Sequence, residues 1–255
     1  MDNKPYRGGP KSANRDHYVR SAFATVVFLI VLGVCVGAGV WQLGRGSDKQ
    51  TLNIQFTGGT LAEALLEPVG DADAAEHRFR RFELQGSYDA ERQVLLDSMV
   101  SGGQTGYHVL TPFRTAKKTV LVNRGWVLAD PDRQRLPDVS VSDEPRTIQT
   151  RLNKLPEPGL RLPEPEAIES GWPRRLLFPT REQIVANLGY EIADYQLLLD
   201  AQASDGYKRD WKAVEVGPEK HFGYALQWFA FGLLALVAYV MVNIRWSRQA
   251  KAGKS

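Results

Sequence analysis

The chain has one cysteine, Cys35, which lies inside a long apolar run. The polar part of the sequence therefore has no disulfide, even if it lies in an oxidising compartment. A copper site built on paired thiolates is excluded for the same reason. A copper site of histidine and methionine ligands stays open, with Met99 as the only methionine between the two apolar runs. We interpret Cys35 as a small packing residue of a membrane helix.

Motifs typical of catalysis are missing as well. The sequence has no G-x-S-x-G nucleophile elbow, no phosphate-binding glycine loop and no histidine pair with metal-ligand spacing. We therefore expect that the protein is not an enzyme, and an external enzyme held by two anchors is the least supported class.

Between the apolar runs, acidic residues slightly outnumber basic ones. A nucleic-acid partner would need a concentrated basic surface, so we expect none.

Two runs, residues 21–43 and 222–244, contain no charged residue. At ~1.5 Å per residue each is long enough to cross the ~30 Å hydrocarbon core of a bilayer as a helix. The first run is too long for the apolar part of a signal peptide, and no clear A-x-A cleavage site follows it. We interpret both runs as membrane helices that stay in the mature protein.

The orientation follows from the basic residues that flank the two runs. They are Lys4, Arg7, Lys11, Arg15 and Arg20 before the first run, and Arg245, Arg248, Lys251 and Lys254 after the second. Both tails should therefore be cytoplasmic, near anionic lipid. The resulting plan is a tail at 1–20, a membrane helix at 21–43, an external domain at 44–220, a membrane helix at 221–244 and a tail at 245–255. No transit-like presequence precedes Ser21, which favours a bacterial inner membrane with a periplasmic domain.

The external segment has mainly strand signals. Strands are predicted near residues 79–88, 94–100, 107–113 and 119–127, with further strands at 147–152 and 195–199. The short links between the first four predict an antiparallel meander. Thr180 and Gln183 have capping-box spacing and begin a helix that ends at Leu188, before Gly189. Residues 129–173 are predicted to be mostly a long surface excursion. The predicted fold is a mostly antiparallel α+β domain, sandwich-like or barrel-like, between two membrane helices.

A possible ligand site lies where the outer ends of the two antiparallel helices meet. His221, Tyr224, Ala225 and Trp228 have the spacing of one helix face. Trp41 and Gln42 end the first run, and Arg45 and Lys220 lie at the water boundary. An imidazole, an aromatic wall and cations suit haem, with its iron, macrocycle and propionates. The alternative is a histidine that binds only water or lipid, with Trp41 as an interfacial anchor.

Two further patterns have two readings each. Gly33 and Gly37, with Gly39 just beyond them, have small-residue spacing that lets membrane helices approach closely, although glycine is common in such helices. In the run VNRGW, Arg124 could hold a carboxylate of a partner or the backbone of its own chain. Gly125 is interpreted as a bulge, which favours structural support.

Four motifs carry a resemblance to a known family. GVWQLGR, GYHVLTPFR, VLVNRGWV and PEKHFGYALQWFA occur in this order between the two apolar runs. From about Val40 to Trp246 the chain resembles the Surfeit locus protein 1 family of cytochrome oxidase assembly factors, and the last two motifs are the most specific. The resemblance implies a role in haem-copper oxidase maturation, around haem a and subunit I. It also implies a haem-binding histidine at the start of the second membrane helix, which is His221.

The resemblance leads to a hypothesis about the mechanism. The chain would accept haem a from the membrane enzyme that synthesises it, the haem a synthase, and present it to cytochrome c oxidase subunit I. His221 would bind the iron. The pocket would be formed by Tyr224, Gln227, Trp228, Trp41 and Gln42, with Arg45 and Lys220 at the propionates. The alternative is a scaffold or chaperone that never binds haem and contacts oxidase subunits through its external domain, with Arg124 and Trp126 as partner-binding residues. A homo-oligomer is compatible with both hypotheses, and under the haem-binding hypothesis two chains could share one haem.

Overall fold

The structure is a computed structural model that describes residues 10–155, 171–214 and 216–252, with side chains from residue 22 to residue 249. Lys4, Arg7 and Lys254 of the predicted cytoplasmic tails lie outside the described residues, as do residues 156–170 of the predicted excursion. The chain divides into two compact units. One contains the N-terminal residues up to Leu52 and the C-terminal residues from Val214, and the other is the domain Asn53–Ala213.

Two long helices make up most of the first unit, and the last residues of one of them, after Leu52, belong to the domain. Helix α1 is Pro10–Leu61 and helix α3 is Pro218–Ala252. Both are long and apolar enough to cross a membrane, over Ala22–Leu61 and Pro218–Gln249. Helix α1 continues well beyond Leu43, where its predicted apolar run ends. Few residues of the apolar stretches are buried within the protein.

The two helices pair along a regular seam. On α1 the less exposed residues include a series formed by Thr25, Phe28, Leu32, Cys35, Gly39, Gln42 and Gly46. They alternate in steps of three and four, which is the spacing of a coiled-coil seam. The Phe28 ring stacks on Tyr239 with 4.3 Å between centroids, and Thr25 hydrogen-bonds the Tyr239 hydroxyl at 2.9 Å. Residues early in α1 therefore meet residues late in α3, so the helices are antiparallel.

The glycines at this seam differ from the predicted pair. Neither Gly33 nor Gly37 has a neighbouring atom within 4 Å of the place where a Cβ would be. At Gly39 that Cβ would lie 2.5 Å from the Phe229 ring, and at Gly46 it would lie 2.5 Å from the Phe222 ring. The close approach of α3 thus occurs at glycines in the 3–4 seam, and the reading of Gly33 and Gly37 as the packing pair is wrong.

In the described part of the domain, seven strands form one sheet. They are β1 (Arg81–Tyr88), β2 (Val94–Ser101), β3 (Gln104–Arg114), β4 (Thr119–Leu128), β5 (Arg146–Asn153), β6 (Arg174–Leu176) and β7 (Gln196–Leu199). Their order is β1-β5-β7-β4-β3-β2-β6. β4–β7 and β2–β6 are parallel and the other pairs are antiparallel. The mixed, mostly antiparallel sheet between two apolar helices confirms the predicted fold class.

The prediction of a four-strand meander is wrong for β1. Strands β2, β3 and β4 are sequential neighbours, but β1 pairs with β5 and touches β3 only at Ser87 and Tyr88. Both edges of β2 are already used, by β3 and β6. The contact of β1 with β3 closes β1, β5, β7, β4 and β3 into a barrel-like ring. Its interior is filled by one apolar cluster that includes Phe82, Leu84, Phe113, Val122 and Leu197.

Helix α2 (Arg181–Leu188) is as predicted. The Thr180 side chain accepts a hydrogen bond from the Gln183 N–H, and the Gln183 side chain accepts one from the Thr180 N–H. Gly189 ends the helix in the left-handed conformation, with φ of 80°. Ile184 and Leu188 pack in a second apolar cluster with residues of β2, β3 and β4. The short strand β6 was not predicted.

Candidate functional site

The start of α3 brings its histidine to the seam between the two long helices. Nδ1 of His221 lies 2.8 Å from Oε1 of Gln42. An amide oxygen can only accept a hydrogen bond, so the Nδ1–H of His221 donates to Gln42. This fixes the tautomer, and Nε2 then carries the lone pair that can bind a metal. Among the described residues Nε2 has no hydrogen-bond partner.

The other predicted pocket residues lie around this pair with different exposure. Ala225 is buried, with 1 % of its surface exposed, and Trp228 is partly buried. Tyr224 is 54 % exposed and Trp41 is 61 % exposed. Gln227, Lys220 and Arg45 are exposed too. Helical spacing therefore places Tyr224 near the face of His221 but not in the helix contact. The pair His221–Gln42 is the part of the predicted set that is joined by a direct contact.

The surroundings of His221 fit one axial ligand of a haem better than a metal site made of several side chains. In the part of the chain that the structure describes, no group of three or more histidine, cysteine, aspartate or glutamate residues could hold a metal ion. Haem needs only one imidazole from the protein, with apolar and aromatic surface for the macrocycle. The exposed rings of Trp41 and Tyr224 offer such surface. Arg45 is 4.0 Å from Asp48, a weak and solvent-exposed ion pair that leaves the guanidinium accessible.

Arg124, a predicted partner-binding residue, lies inside the domain. It is 3 % exposed, and its guanidinium donates to the carbonyls of Asp205, Val139 and Ser140 at 3.0, 2.8 and 3.3 Å. The guanidinium also lies over the rings of Tyr88 and Tyr207. Arg124 therefore binds the backbone of its own chain. This was one of the two interpretations that the sequence left open for this residue.

Gly125 and Trp126 explain why this strand is interrupted. The β3–β4 register shifts between His108 and Leu110, as one extra residue enters β4. Gly125 has φ of 115°, which favours glycine, and makes the predicted bulge possible. The Trp126 indole donates to the Met99 carbonyl at 2.8 Å and is 8 % exposed. Contact of Arg124 or Trp126 with a partner protein stays a prediction.

His108 belongs to a polar network that the sequence did not predict. The Asn123 amide donates to His108 Nδ1 at 3.2 Å and to Gln196 Oε1 at 3.0 Å, and it accepts from the Gly125 N–H. The Gln196 amide donates to the Lys154 carbonyl. Burial lowers the pKa of His108 to about 4. The neutral imidazole is thus one member of an interior polar network with Asn123 and Gln196. The members of this network are far apart in the sequence, so no local sequence pattern predicts that they are in contact.

Comparisons with known proteins show which family the chain belongs to. The sequence profile of the SURF1 family matches residues 29–233, which include both members of the His221–Gln42 pair. A SURF1-like protein of Mycobacterium tuberculosis is 30 % identical over 227 residues, covering 84 % of this chain and 80 % of that protein. A SURF1-like protein of Rickettsia felis is 22 % identical over 230 residues, covering 85 % and 95 %. Human Surfeit locus protein 1 is 27 % identical over 123 residues, covering 42 % and 41 %. The chain belongs to the SURF1 family.

Proposed function

We propose that this chain is a membrane-anchored, non-enzymatic assembly factor of haem-copper cytochrome c oxidase, which binds haem a and assists its insertion into subunit I. The observation that carries the proposal is the hydrogen bond between His221 Nδ1 and Gln42 Oε1. It orients an imidazole at the start of an apolar helix and leaves Nε2 available. Family membership and the two apolar helices support the cellular role and the membrane setting.

Gln42 acts on the ligand atom through the imidazole. A hydrogen bond to Nδ1–H fixes the ring plane and makes Nε2 more basic, which strengthens it as a ligand. His221 would hold haem a through this nitrogen, and the bound haem would supply the iron. The exposed rings of Trp41, Tyr224 and the nearby Trp228 would cover the macrocycle, with Gln227 beside them. Arg45 and Lys220 carry the charges that pair with carboxylates of propionate type.

Weak retention is part of the proposed role. A transfer protein must release its cargo, so one protein ligand and a partly open site are suitable. The partners in the proposal are the haem a synthase as the source, oxidase subunit I as the acceptor, and lipid around both helices. We place the chain in a bacterial inner membrane with both termini cytoplasmic and the domain Asn53–Ala213 on the outer side.

The test is an absorption spectrum of the full chain, purified in detergent from cells that also synthesise haem a. The wild type should carry a haem a band, and His221→Ala should lose it. His77→Ala is a matched control, because His77 also has its Nδ1 engaged, near the Asp73 carbonyl at 3.0 Å, but lies in the other unit. A band in both His221→Ala and the wild type would place the iron elsewhere.

The absence of a band in every variant, together with normal association with oxidase subunits, would instead support the scaffold function. Arg124 is unsuitable for testing that alternative, since its guanidinium supports the domain from within. Exposed residues of the sheet, such as Val100 near the end of β2, are better positions for interface variants, because Val100 is 67 % exposed.

A further inference from the structure

A small cavity of about 270 Å³ lies beside strands β1 and β5, within the domain Asn53–Ala213. Aromatic side chains of Phe56 and Trp211 line it, together with Leu198 and the arginines Arg81 and Arg151. Arg81 lies directly opposite Arg151 in the antiparallel β1–β5 register. Like charges at opposed positions of neighbouring strands destabilise a sheet. A bound group of opposite charge would explain why two arginines are found here.

The guanidinium group of Arg151 is held in place by one residue, Phe56. Its guanidinium lies 4.0 Å from the centroid of the Phe56 ring, and Nη1 donates to the Phe56 carbonyl at 2.9 Å. Burial lowers the pKa of Arg151; attraction by Asp200 opposes this change, and the weaker repulsion by Arg81 adds to it. Within the described residues, the remaining guanidinium donors of Arg151 and the guanidinium donors of Arg81 have no hydrogen-bond or ion-pair partner. Both arginines are partly buried, so the pair presents N–H groups beside the cavity that are open to a ligand.

The carboxylates of the same cavity have other partners. Asp200 accepts a hydrogen bond from the Gln202 N–H at 2.9 Å, and Asp210 forms an ion pair with Lys212 at 2.7 Å. In the described part of the chain neither of them forms an ion pair with Arg81 or Arg151. Arg209, which also lines the cavity, donates through Nη2 to the Ala201 and Ala203 carbonyls, while its buried Nε and Nη1 have no partner among the described residues. The open polar groups of the site are therefore the two opposed guanidinium groups and these two nitrogens of Arg209.

We infer that the cavity at Arg81 and Arg151 binds an oxyanion of the phosphate class. Guanidinium groups donate paired hydrogen bonds to oxyanions, and one tetrahedral anion has enough oxygens to accept from two arginines. A bound anion would turn the repulsion between the two strands into a bridge. The anion is a free phosphate group or the headgroup of an anionic phospholipid. The inference does not depend on haem binding at His221.

The test uses the full chain in detergent at low ionic strength, titrated with inorganic phosphate and with pyrophosphate in a calorimeter. Arg81→Gln is the decisive variant, because Arg81 holds no other described residue and its loss should leave the fold intact. Loss of charge-assisted hydrogen bonds should weaken binding by roughly tenfold or more. Arg135→Gln is the matched control, since Arg135 is exposed and pairs only locally with Asp132. Near-ultraviolet circular dichroism checks the fold of each variant.

A second arm identifies the source of the anion. Phosphatidylglycerol or phosphatidylcholine is added to the detergent micelles before the titration. Competition by phosphatidylglycerol that is lost in Arg81→Gln would identify a lipid headgroup, and phosphate binding without such competition would identify a free anion. Either result supports the site. Absence of binding by all three anions, or equal weakening in Arg81→Gln and Arg135→Gln, would overturn it.

Discussion

Gly232 of α3 faces Cys35 of α1 so closely that a Cβ built at Gly232 would lie 3.4 Å from the Cβ of the cysteine. This is near the Cβ–Cβ separation of ordinary disulfides. The contact lies at the seam of the two antiparallel helices, and Cys35 is the only cysteine of the chain. Helix pairing can therefore be tested without removing any other thiol.

Gly232→Cys should form a disulfide with Cys35 when the purified protein is oxidised. The measurement is mass spectrometry of a tryptic digest, which would contain a linked peptide from the two helices. Gly223→Cys is the control, because no atom other than its own helix backbone lies within 4 Å of its Cβ position. Equal cross-linking in both variants would mean that the helices do not pair in this register.

Gly39→Val should disturb the helix pair, whereas Gly37→Val should not. A Cβ at Gly39 would lie 2.5 Å from Cε1 of Phe229, but at Gly37 it would meet nothing within 4 Å. Overpacking of this kind typically costs about 1–3 kcal/mol. The measurement is the yield of the disulfide between Cys35 and the thiol introduced by Gly232→Cys, with each valine substitution added in turn. A yield that falls equally in both would contradict the seam.

Gln42→Leu should reduce the haem a retained by the purified protein, because Nδ1–H of His221 loses its acceptor. Loss of such a supporting hydrogen bond typically weakens metal binding roughly 10–100-fold. Gln42→Glu keeps an acceptor and should restore binding, with a shifted absorption maximum. Gln50→Leu, at an exposed position of the same helix, is the control. If Gln42→Leu binds as tightly as Gln50→Leu, Gln42 has no positioning role.

The stability of the domain should fall between pH 6.5 and pH 4 because of His108. Burial holds its folded-state pKa at about 4, below the ordinary value of 6.5, so the unfolded chain binds the extra proton first. The stabilisation is complete above pH 6.5 and is lost as the pH falls towards 4. The difference between the two pKa values corresponds to at most about 3 kcal/mol.

Urea unfolding of the wild type and of His108→Gln across this range measures the effect. The glutamine can still accept from the Asn123 amide but does not titrate, so its stability should change less with pH. Partial burial opposes ionisation of the Asp71 carboxyl, but hydrogen bonds from Lys118 and the Asp194 N–H lower its pKa below 3.8, so it titrates beneath this range. Parallel pH profiles for the two proteins would show that His108 is not the titrating group.

Arg124→Gln should destabilise the domain by about 3 kcal/mol or more, because three backbone carbonyls lose a buried charged donor. The measurement is the midpoint of urea unfolding, followed by tryptophan fluorescence. Arg135→Gln, at an exposed arginine, should change stability by less than about 0.5 kcal/mol. If Arg124→Gln leaves stability unchanged, Arg124 does not support the domain, and a role in binding a partner would be favoured instead.

Several features could be predicted from local sequence because their causes are local. The capping box at Thr180 and Gln183 and the stop at Gly189 needed only neighbouring residues. The strand near residues 147–152 followed from alternation, and the two apolar helices from the absence of charge. The position of His221 at the start of α3 followed in the same way.

Other features were wrong or hidden because they depend on partners far along the chain. Strand β1 pairs with β5 rather than β2, because Phe82 and Leu84 share the barrel interior with Ile148 and Leu152. Alternation shows that a strand has an apolar face, but it does not show which strand lies beside it.

The sequence by itself determined where this protein has helices, strands, caps and a lone histidine at the edge of an apolar segment. Only the tertiary structure decided what those residues touch. It placed Gln42 on His221, turned Arg124 inward to carbonyls, and set Arg81 opposite Arg151. The physical reason is that secondary structure follows from short-range periodicity and capping, whereas each of these contacts joins side chains that only the packing of distant segments brings together.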